Sequence, residues 1–204
     1  GVPKSIQSLT SKIQFNDIKS IKKLFDLHQG EIAAVIIEPM SSVEPLSGYL
    51  QELRDITKET GTVLIFDEII TGFRFSLGGA QELFGVTPDL AAFGKAMGNG
   101  MPISAVVGCS EIMYEMEEIF YSGTFGGETL SIAASIAVID KMRKEPVIEK
   151  LWSFGTILKK GVQDRLDFHG LNNAIKITGM DPWIILTFHD HDSVKSDVIK
   201  TLYV

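Results

Sequence analysis

The clearest structural signal in the sequence is an apolar run that ends in two carboxylates, Thr62-Val63-Leu64-Ile65-Phe66-Asp67-Glu68. Such a run is typical of a strand that is buried on both faces. A second run with the same texture lies at residues 31–38, where Glu38 is followed by Pro39. We therefore expect two buried strands, each with a carboxylate at its carboxyl end.

Segments with helical spacing of apolar residues separate these runs from further strand-like ones. We expect helices after Asp17, over Tyr49–Thr60 and over Thr129–Met142, and strands over Asp89–Phe93 and Met101–Gly108. Strands that alternate with helices predict an α/β fold with a mostly parallel sheet. Ligands bind beyond the carboxyl ends of the strands in such sheets, so Glu38 and Asp67 indicate where the site lies.

The pattern changes after Pro146. An amphipathic helix is predicted over Val147–Leu166, and two short strands are predicted over Ala174–Ile177 and Trp183–Phe188. We expect residues 1–146 to be part of a large domain and residues 147–204 to be the incomplete start of a smaller C-terminal α/β domain. Neither end of the sequence coincides with a clear element, and we expect it to be truncated at both ends.

Composition limits the partners and the compartment. The 204 residues carry a formal net charge of −7, which argues against binding to nucleic acid or to an anionic membrane. Cys109 is the only cysteine, which favours a reducing compartment, and no apolar run approaches the ~20 residues of a membrane span. We expect a cytoplasmic protein with no nucleic-acid or membrane partner. The histidines show no metal-ligand spacing, so we expect no metal site.

Two segments contain candidate reactive groups. In Phe66–Arg74, Asp67 is either a functional carboxylate or a loop carboxylate that helix N–H groups satisfy, since an unpaired buried charge is costly. In residues 93–102, Phe-Gly-Lys-Ala-Met-Gly-Asn-Gly-Met-Pro, Lys95 is the only charged residue. Burial of such a lysine favours its neutral, nucleophilic form, whereas the alternative is a surface or snorkelling lysine.

A third candidate segment is rich in glycine and hydroxyl groups and lies just before a predicted helix, Tyr121-Ser122-Gly123-Thr124-Phe125-Gly126-Gly127-Glu128. Backbone N–H groups and the helix dipole would make it an anion cradle. A simple turn is the alternative.

In their order and spacing these segments resemble the class III aminotransferases, most closely the glutamate-1-semialdehyde aminomutase branch. The resemblance rests on Phe66–Arg74, on Lys95 in its glycine-rich segment, on Gly123–Gly127 and on Glu38-Pro39, and it covers Glu31–Met142. It implies the fold type I of pyridoxal-phosphate (PLP) dependent transferases. It also implies an enzyme that transfers an amino group with PLP, either a transaminase or an aminomutase, which is an isomerase.

The resemblance also implies roles for single residues. Lys95 would hold PLP as a Schiff base, the internal aldimine, and would move a proton between substrate and cofactor. Asp67 would pair with the pyridine nitrogen and keep it protonated. Thr124 would bind the cofactor phosphate, in this family usually from the neighbouring subunit of a homodimer. Glu68 would at most orient other groups, and the substrate would be a small amino acid or an amino-sugar-like compound.

The sequence departs from the family pattern at one cofactor contact and in two loops that should recognise substrate. Ile70 stands where many members have a glutamine that reaches the phenolic oxygen of the cofactor, and Glu128 stands where the family commonly has asparagine. Residues 40–48 lack the usual Gly-Glu-Gly, and Glu44 is either a substrate-side carboxylate or an exposed loop residue.

Two other functions remain open from the sequence. The N-terminal portion that completes the cofactor site in the family is missing from this sequence, so the chain could instead be a catalytically incomplete fragment that acts as a binding or assembly module. A PLP-dependent decarboxylase or racemase on the same scaffold is the other alternative.

Overall fold

A computed structural model describes residues 1–203 of the chain. The helices are α1 Lys4–Gln7, α2 Ile18–Leu27, α3 Tyr49–Thr60, α4 Gly79–Phe84, α5 Ser110–Met113, α6 Thr129–Lys144, α7 Val147–Phe168 and α8 Ser196–Tyr203. The strands are β1 Ala34–Ile37, β2 Val63–Asp67, β3 Leu90–Phe93, β4 Ala105–Gly108, β5 Ile175–Thr178 and β6 Ile185–Phe188. Short 3₁₀ turns lie at Lys95–Met97, Tyr114–Glu117 and Asp181–Trp183.

The main sheet has four strands in the order β1-β2-β3-β4. Strands β1, β2 and β3 run parallel, and β4 runs antiparallel to β3 at the edge. This arrangement confirms the predicted α/β class with a mostly parallel sheet. Because the three parallel strands end at the same edge, the residues that follow them gather there.

Local sequence signals account for the helices that cover this sheet. Asp17 caps α2 by accepting a hydrogen bond from Ser20 N at 3.0 Å, and Gly61 ends α3 in the left-handed conformation with φ of +68°. Ile21 on α2 and Leu53 on α3 are fully buried, and they belong to the same core cluster as Leu64 of β2. The two helices therefore bury one face of the sheet.

The prediction that β1 is buried on both faces is wrong. Ile36 is 64% exposed, whereas Ile37 next to it is buried. The exposure of Ile36 shows that within residues 1–203 nothing covers the second face of β1, which pairs only with β2 at the edge of the sheet. Strand β2 likewise alternates between buried and half-buried residues, which is the pattern of a strand with one fully covered face.

The C-terminal part has a sheet and a core of its own. Strands β5 and β6 form an antiparallel pair, and a second small apolar cluster contains Leu166, Ala174 and Ile175. Helix α6 ends at Lys144 and α7 begins at Val147, on either side of the predicted boundary at residue 146. The boundary itself stays a prediction, and the last residue of the predicted small domain, Val204, lies outside the described residues.

Within residues 1–203, none of the helices combines the length and the hydropathy needed to cross a membrane.

Candidate active site

Asp67 and Lys95 lie at the carboxyl edge of neighbouring parallel strands. Asp67 is the last residue of β2 and pairs in register with Ala92 of β3. Lys95 follows the end of β3 after a single residue, Gly94, and begins a 3₁₀ turn. Parallel pairing of β2 with β3 thus brings an amine and a carboxylate from separate sequence segments to one edge.

The carboxylate of Asp67 is only partly used by the chain itself. Its Oδ1 accepts a hydrogen bond from Ile69 N at 3.1 Å, and the residue is half-buried. No other hydrogen bond to this carboxylate is found among residues 1–203, which leaves Oδ2 free for a further donor. The sequence left open that Asp67 is a loop carboxylate satisfied by helix N–H groups. The structure does not show this arrangement for Asp67.

Glu68, the next residue, has that role instead. It is fully buried, and its carboxylate accepts hydrogen bonds from the first turn of α4, including one from Ala80 N at 2.7 Å. The sequence suggested for Glu68 at most an orienting role. The burial of Glu68 could have been predicted from the sequence. Side chains alternate along a strand, so Glu68 lies on the same face as the buried residues Leu64 and Phe66.

Lys95 has an unusual backbone conformation and an exposed side chain. Its φ of +40° lies in the left-handed region, which residues with a Cβ rarely adopt and which clusters at functional sites. The turn it begins is fixed from α6, because buried Ser135 donates from Oγ to Met97 O at 3.0 Å. Of the two alternatives that the sequence left open, the structure shows a surface lysine, because within residues 1–203 nothing covers the Lys95 side chain.

The glycine-rich segment that contains Thr124 lies in an exposed loop before α6. Gly126 N donates to Gly123 O at 2.9 Å, which makes the loop a tight turn, and Thr124 is exposed. No hydrogen bond joins Thr124 to Lys95 or Asp67 among the described residues. Strand pairing therefore places Lys95 and Asp67 at one sheet edge, whereas Thr124 lies outside the sheet in the loop before α6.

The start of α6 is not the open anion cradle expected from the sequence. Glu128 caps the helix with its own side chain, accepting from Leu130 N at 2.9 Å and from Ser131 N at 2.7 Å. The Ser131 hydroxyl and these two N–H groups hold the pKa of the Glu128 carboxyl below its usual range. An anion would therefore have to bind to the loop before Glu128, because the helix N–H groups already have an anionic acceptor.

Other candidate residues are placed as follows. Glu38 directly follows β1 and is exposed at the same sheet edge as Asp67, and Glu44 is an exposed loop residue whose carbonyl accepts from Asn16 Nδ2 at 2.9 Å. Arg74 is half-buried with no partner for its Nε among the described residues, and desolvation lowers its pKa. Among residues 1–203, no cluster of three or more His, Cys, Asp and Glu side chains could hold a metal ion.

The free amine of Lys95 and the free oxygen of Asp67 define what the site can hold. A primary amine can bond covalently to an aldehyde, and a carboxylate can hold a proton at a ring nitrogen. The chemistry of the two groups therefore fits a heteroaromatic aldehyde, with the amine available to the aldehyde and the carboxylate to the ring nitrogen. The exposure of Lys95 leaves room for such a group.

Comparison with known proteins identifies the family. The model of the family described as "Aminotransferase class-III" matches residues 2–200. The chain belongs to the class-III aminotransferase family. The resemblance inferred from the motifs is thus confirmed, and the match extends beyond the segment that carried it.

Relatives and solved structures agree with this class-III assignment. The chain is 41% identical to the glutamate-1-semialdehyde 2,1-aminomutase of Methanococcoides burtonii, over 87% of this chain and 45% of that protein. It matches the crystal structure of an omega-transaminase from Sphaerobacter thermophilus with a TM-score of 0.84 and 32% identity, covering 95% of this chain and 45% of that one. The FumI protein of a Sphingopyxis species, solved in its PLP internal aldimine form, matches with a TM-score of 0.82 and 29% identity, covering 88% and 44%.

These matches confirm the predicted class, fold type I of the PLP-dependent transferases. The chain spans about 45% of the length of the curated class-III relatives it matches.

Proposed function

We propose that this chain carries the cofactor-attachment part of a PLP-dependent enzyme that transfers an amino group, as a transaminase or as an aminomutase. The observation that supports it best is that Asp67 and Lys95 follow the ends of the neighbouring parallel strands β2 and β3, at one edge of the sheet. Support also comes from the FumI protein, which was solved with PLP, and from the relative named as an aminomutase.

Lys95 and Asp67 would act on opposite ends of the cofactor. Lys95 would bind PLP covalently through Nζ and then, once released, hold and return the proton that leaves the substrate carbon. Asp67 would hold a proton at the pyridine nitrogen with its free Oδ2, while Ile69 N orients its Oδ1. When bound, PLP supplies an electron sink for the bonds at the substrate carbon.

Thr124 would contact the cofactor phosphate from the neighbouring subunit of a homodimer. Two features support this proposal: Thr124 is exposed and unattached to Lys95 and Asp67, and the loop around it is rich in exposed apolar side chains. Phe120 is 95% exposed and Phe125 is 58% exposed, which is more apolar surface than isolated scattered residues present. The Thr124 hydroxyl and the free N–H groups of the glycine turn would hold the phosphate upstream of Glu128.

The substrate would be a small amino acid or an amino-sugar-like compound, and the compartment would be the cytoplasm. The single cysteine supports a reducing compartment. Substrate would be recognised by the loops at residues 40–48 and just before α6, where this sequence departs from the family pattern.

Amino-group transfer is tested with the full-length protein by absorbance. With PLP added, we expect a visible band that shifts to shorter wavelength when an amino donor is supplied, because the amino group of the donor would pass to the cofactor and the donor carbon would be left as a carbonyl. Asp67→Asn should retain the band but lower the rate of the shift by about 10²–10⁴-fold, the range typical of a lost proton-holding group. Asp55→Asn, on the exposed side of α3, is the matched control and should leave the rate unchanged.

A full-length protein that binds no PLP would contradict the proposal. The binding or assembly module would then replace it. A visible band that persists after an amino acid is added, while that amino acid loses its carboxyl group or its chirality, would favour the decarboxylase or racemase alternative.

A further inference from the structure

The buried carboxylate of Glu68 has a complete set of neutral donors. Its Oε2 accepts from Thr71 Oγ1 at 2.6 Å and from Ala80 N at 2.7 Å. Its Oε1 accepts from Gln81 N at 2.9 Å and from Gln81 Nε2 at 3.3 Å. Burying a carboxylate costs far more free energy than burying an apolar side chain, and these four hydrogen bonds offset that cost.

These donors join the two ends of one segment, residues 69–79. This segment, called the 69–79 loop below, follows β2 and Glu68 and ends at Gly79, the first residue of α4. Thr71 lies near the start of the loop, and Ala80 and Gln81 lie in the first turn of the helix that follows it. Gly79, at the end of the loop, has φ of +78°, and a Cβ there would overlap the Glu68 carboxylate. The loop is therefore closed around a single side chain.

The same loop packs against the end of β3, directly before Lys95. A Cβ on Gly72 would overlap the ring of Phe93, and a Cβ on Gly94 would lie 3.2 Å from Ile69 Cδ1. The rings of Phe73 and Phe93 are also in contact, with centroids 5.6 Å apart. A displacement of the loop would therefore move the residues that lead into the 3₁₀ turn of Lys95.

The loop also forms a hydrogen bond to the side chain of Asp67. Ile69 N donates to Asp67 Oδ1 at 3.1 Å, and this N–H is the only hydrogen-bond donor to the carboxylate among the described residues. Ile69 thus contacts both sides of the site, because its N–H orients Asp67 and its side chain packs on Gly94.

We propose that Glu68 is a positioning residue that sets the relative placement of Asp67 and Lys95 through the loop at residues 69–79. This inference rests on the proposed function. Successive side chains of a strand point to opposite faces, so Glu68 does not reach the cofactor and acts only through the loop. Loss of its hydrogen bonds frees the loop, and the amine and the carboxylate then lose their fixed spacing across the cofactor.

Glu68→Gln tests this role because it keeps the shape of the side chain. The amide NH₂ would face a backbone N–H in either orientation, that of Ala80 or that of Gln81, so at least one hydrogen bond of Glu68 is lost and two donors are opposed. In the full-length protein we expect the dissociation constant of PLP to rise about tenfold or more. We also expect the pH midpoint of the visible band of bound PLP to shift by about half a unit or more, because that midpoint reports how Asp67 and Lys95 are placed.

Three further variants separate positioning from stability. Glu82→Gln is the matched control, since exposed Glu82 accepts from Ser76 and from Gly78 N in the same loop but is not connected to Asp67. Thr71→Val removes one donor to Glu68 and should shift the midpoint in the same direction by less. Thr71→Ser restores the hydroxyl and should restore the wild-type midpoint.

A purely structural Glu68 would lower the melting temperature and leave the band of the folded protein unchanged, and that result would overturn the inference. If Glu68→Gln does not fold, the two Thr71 variants decide. A pH midpoint of the PLP band that shifts in Thr71→Val and is restored in Thr71→Ser supports the inference. A midpoint that does not shift in Thr71→Val refutes it. A wild-type protein without bound PLP would instead refute the proposed function, and the role of Glu68 with it.

Discussion

At the scale of single residues, the chain places its carboxylates in very different environments. Asp67 keeps one oxygen free at the sheet edge, whereas Glu68 beside it is enclosed by four donors. Asp89 is a third case, because it binds Arg54 through both oxygens at 2.7 and 2.8 Å and also accepts from Leu64 N at 2.8 Å. Only the first of these carboxylates remains available to a ligand, and the other two hold the framework.

The Asp89–Arg54 pair makes the stability of the protein pH-dependent. The hydrogen bonds from Arg54 hold the pKa of the Asp89 carboxyl below its usual range. The pKa of Asp89 is therefore lower in the folded protein than in the unfolded chain, where it is about 3.9. The ion pair stabilises the protein fully above pH ~3.9, and this stabilisation is lost as the pH falls through the pKa of the folded state. Asp89→Asn should lower the free energy of unfolding by about 1–3 kcal/mol at pH 7.

Urea unfolding between pH 7 and pH 3 checks this prediction. The difference between wild type and Asp89→Asn should shrink as the pH drops below about 3.9, since Asp89 of the unfolded wild-type chain then binds a proton before Asp89 of the folded protein does. Asp55→Asn is the control, because Asp55 is exposed and forms no ion pair among residues 1–203. A difference that stays constant down to pH 3 would contradict the assignment of the effect to the ion pair.

At the scale of elements, close approaches at glycine fix how the helices lie. Helix α7 contacts the turn at Asp181–Trp183 through Gly155, where a Cβ would overlap the carbonyl of Asp181. The same helix reaches the loop that Glu68 closes, because Trp152 Nε1 donates to Phe75 O at 2.9 Å. Helix α7 therefore connects the C-terminal part of the chain to the candidate site.

Gly155→Ala should destabilise the protein by about 1–3 kcal/mol, the usual cost of forcing extra volume into a packed contact. Gly161→Ala is the matched control on the same helix, because nothing lies within 4 Å of a Cβ at that position. The control should stabilise the helix by about 0.5–1 kcal/mol, since alanine loses less conformational entropy than glycine. Thermal unfolding of both variants measures the contrast, and two equal shifts would show that α7 does not pack through Gly155.

Features that depend on neighbouring residues were predictable from the sequence, and features that depend on distant surfaces were not. The cap at Asp17, the end of α3 at Gly61 and the strand end at Asp67 follow from local signals. The loop closed by Glu68 was missed because its donors in α4 lie 12 and 13 residues away. The exposure of Ile36 was missed because burial depends on what packs on the second face of the sheet, which no local pattern encodes.

At the scale of the whole molecule, much apolar surface faces outward. Phe120, Phe125 and Leu130, at or just before the start of α6, are 95%, 58% and 68% exposed. Several large apolar side chains exposed within one short segment are typical of protein–protein contacts. It supports the proposed homodimer, in which Thr124 of one subunit serves the cofactor of the other.

The homodimer predicts a link between assembly and cofactor binding. Phe125→Asp should convert the full-length protein to a monomer and raise the dissociation constant of PLP, because a buried charge disfavours the interface and Thr124 is then lost from the site. Phe168→Asp, at the 77% exposed end of α7, is the control and should change neither. Light scattering and PLP titration measure both properties, and a Phe125→Asp monomer with unchanged PLP affinity would contradict the shared site.

The central claim is that Lys95 is the residue to which PLP is attached. Borohydride reduction of the full-length protein with PLP, followed by peptide mass spectrometry, tests it directly. We expect a cofactor-sized mass addition on Lys95 alone, and none in Lys95→Ala or Lys95→Gly. The glycine variant is included because glycine adopts the left-handed conformation of this position without strain. A modification on another lysine, or one that persists in both variants, would contradict the attachment of PLP to Lys95.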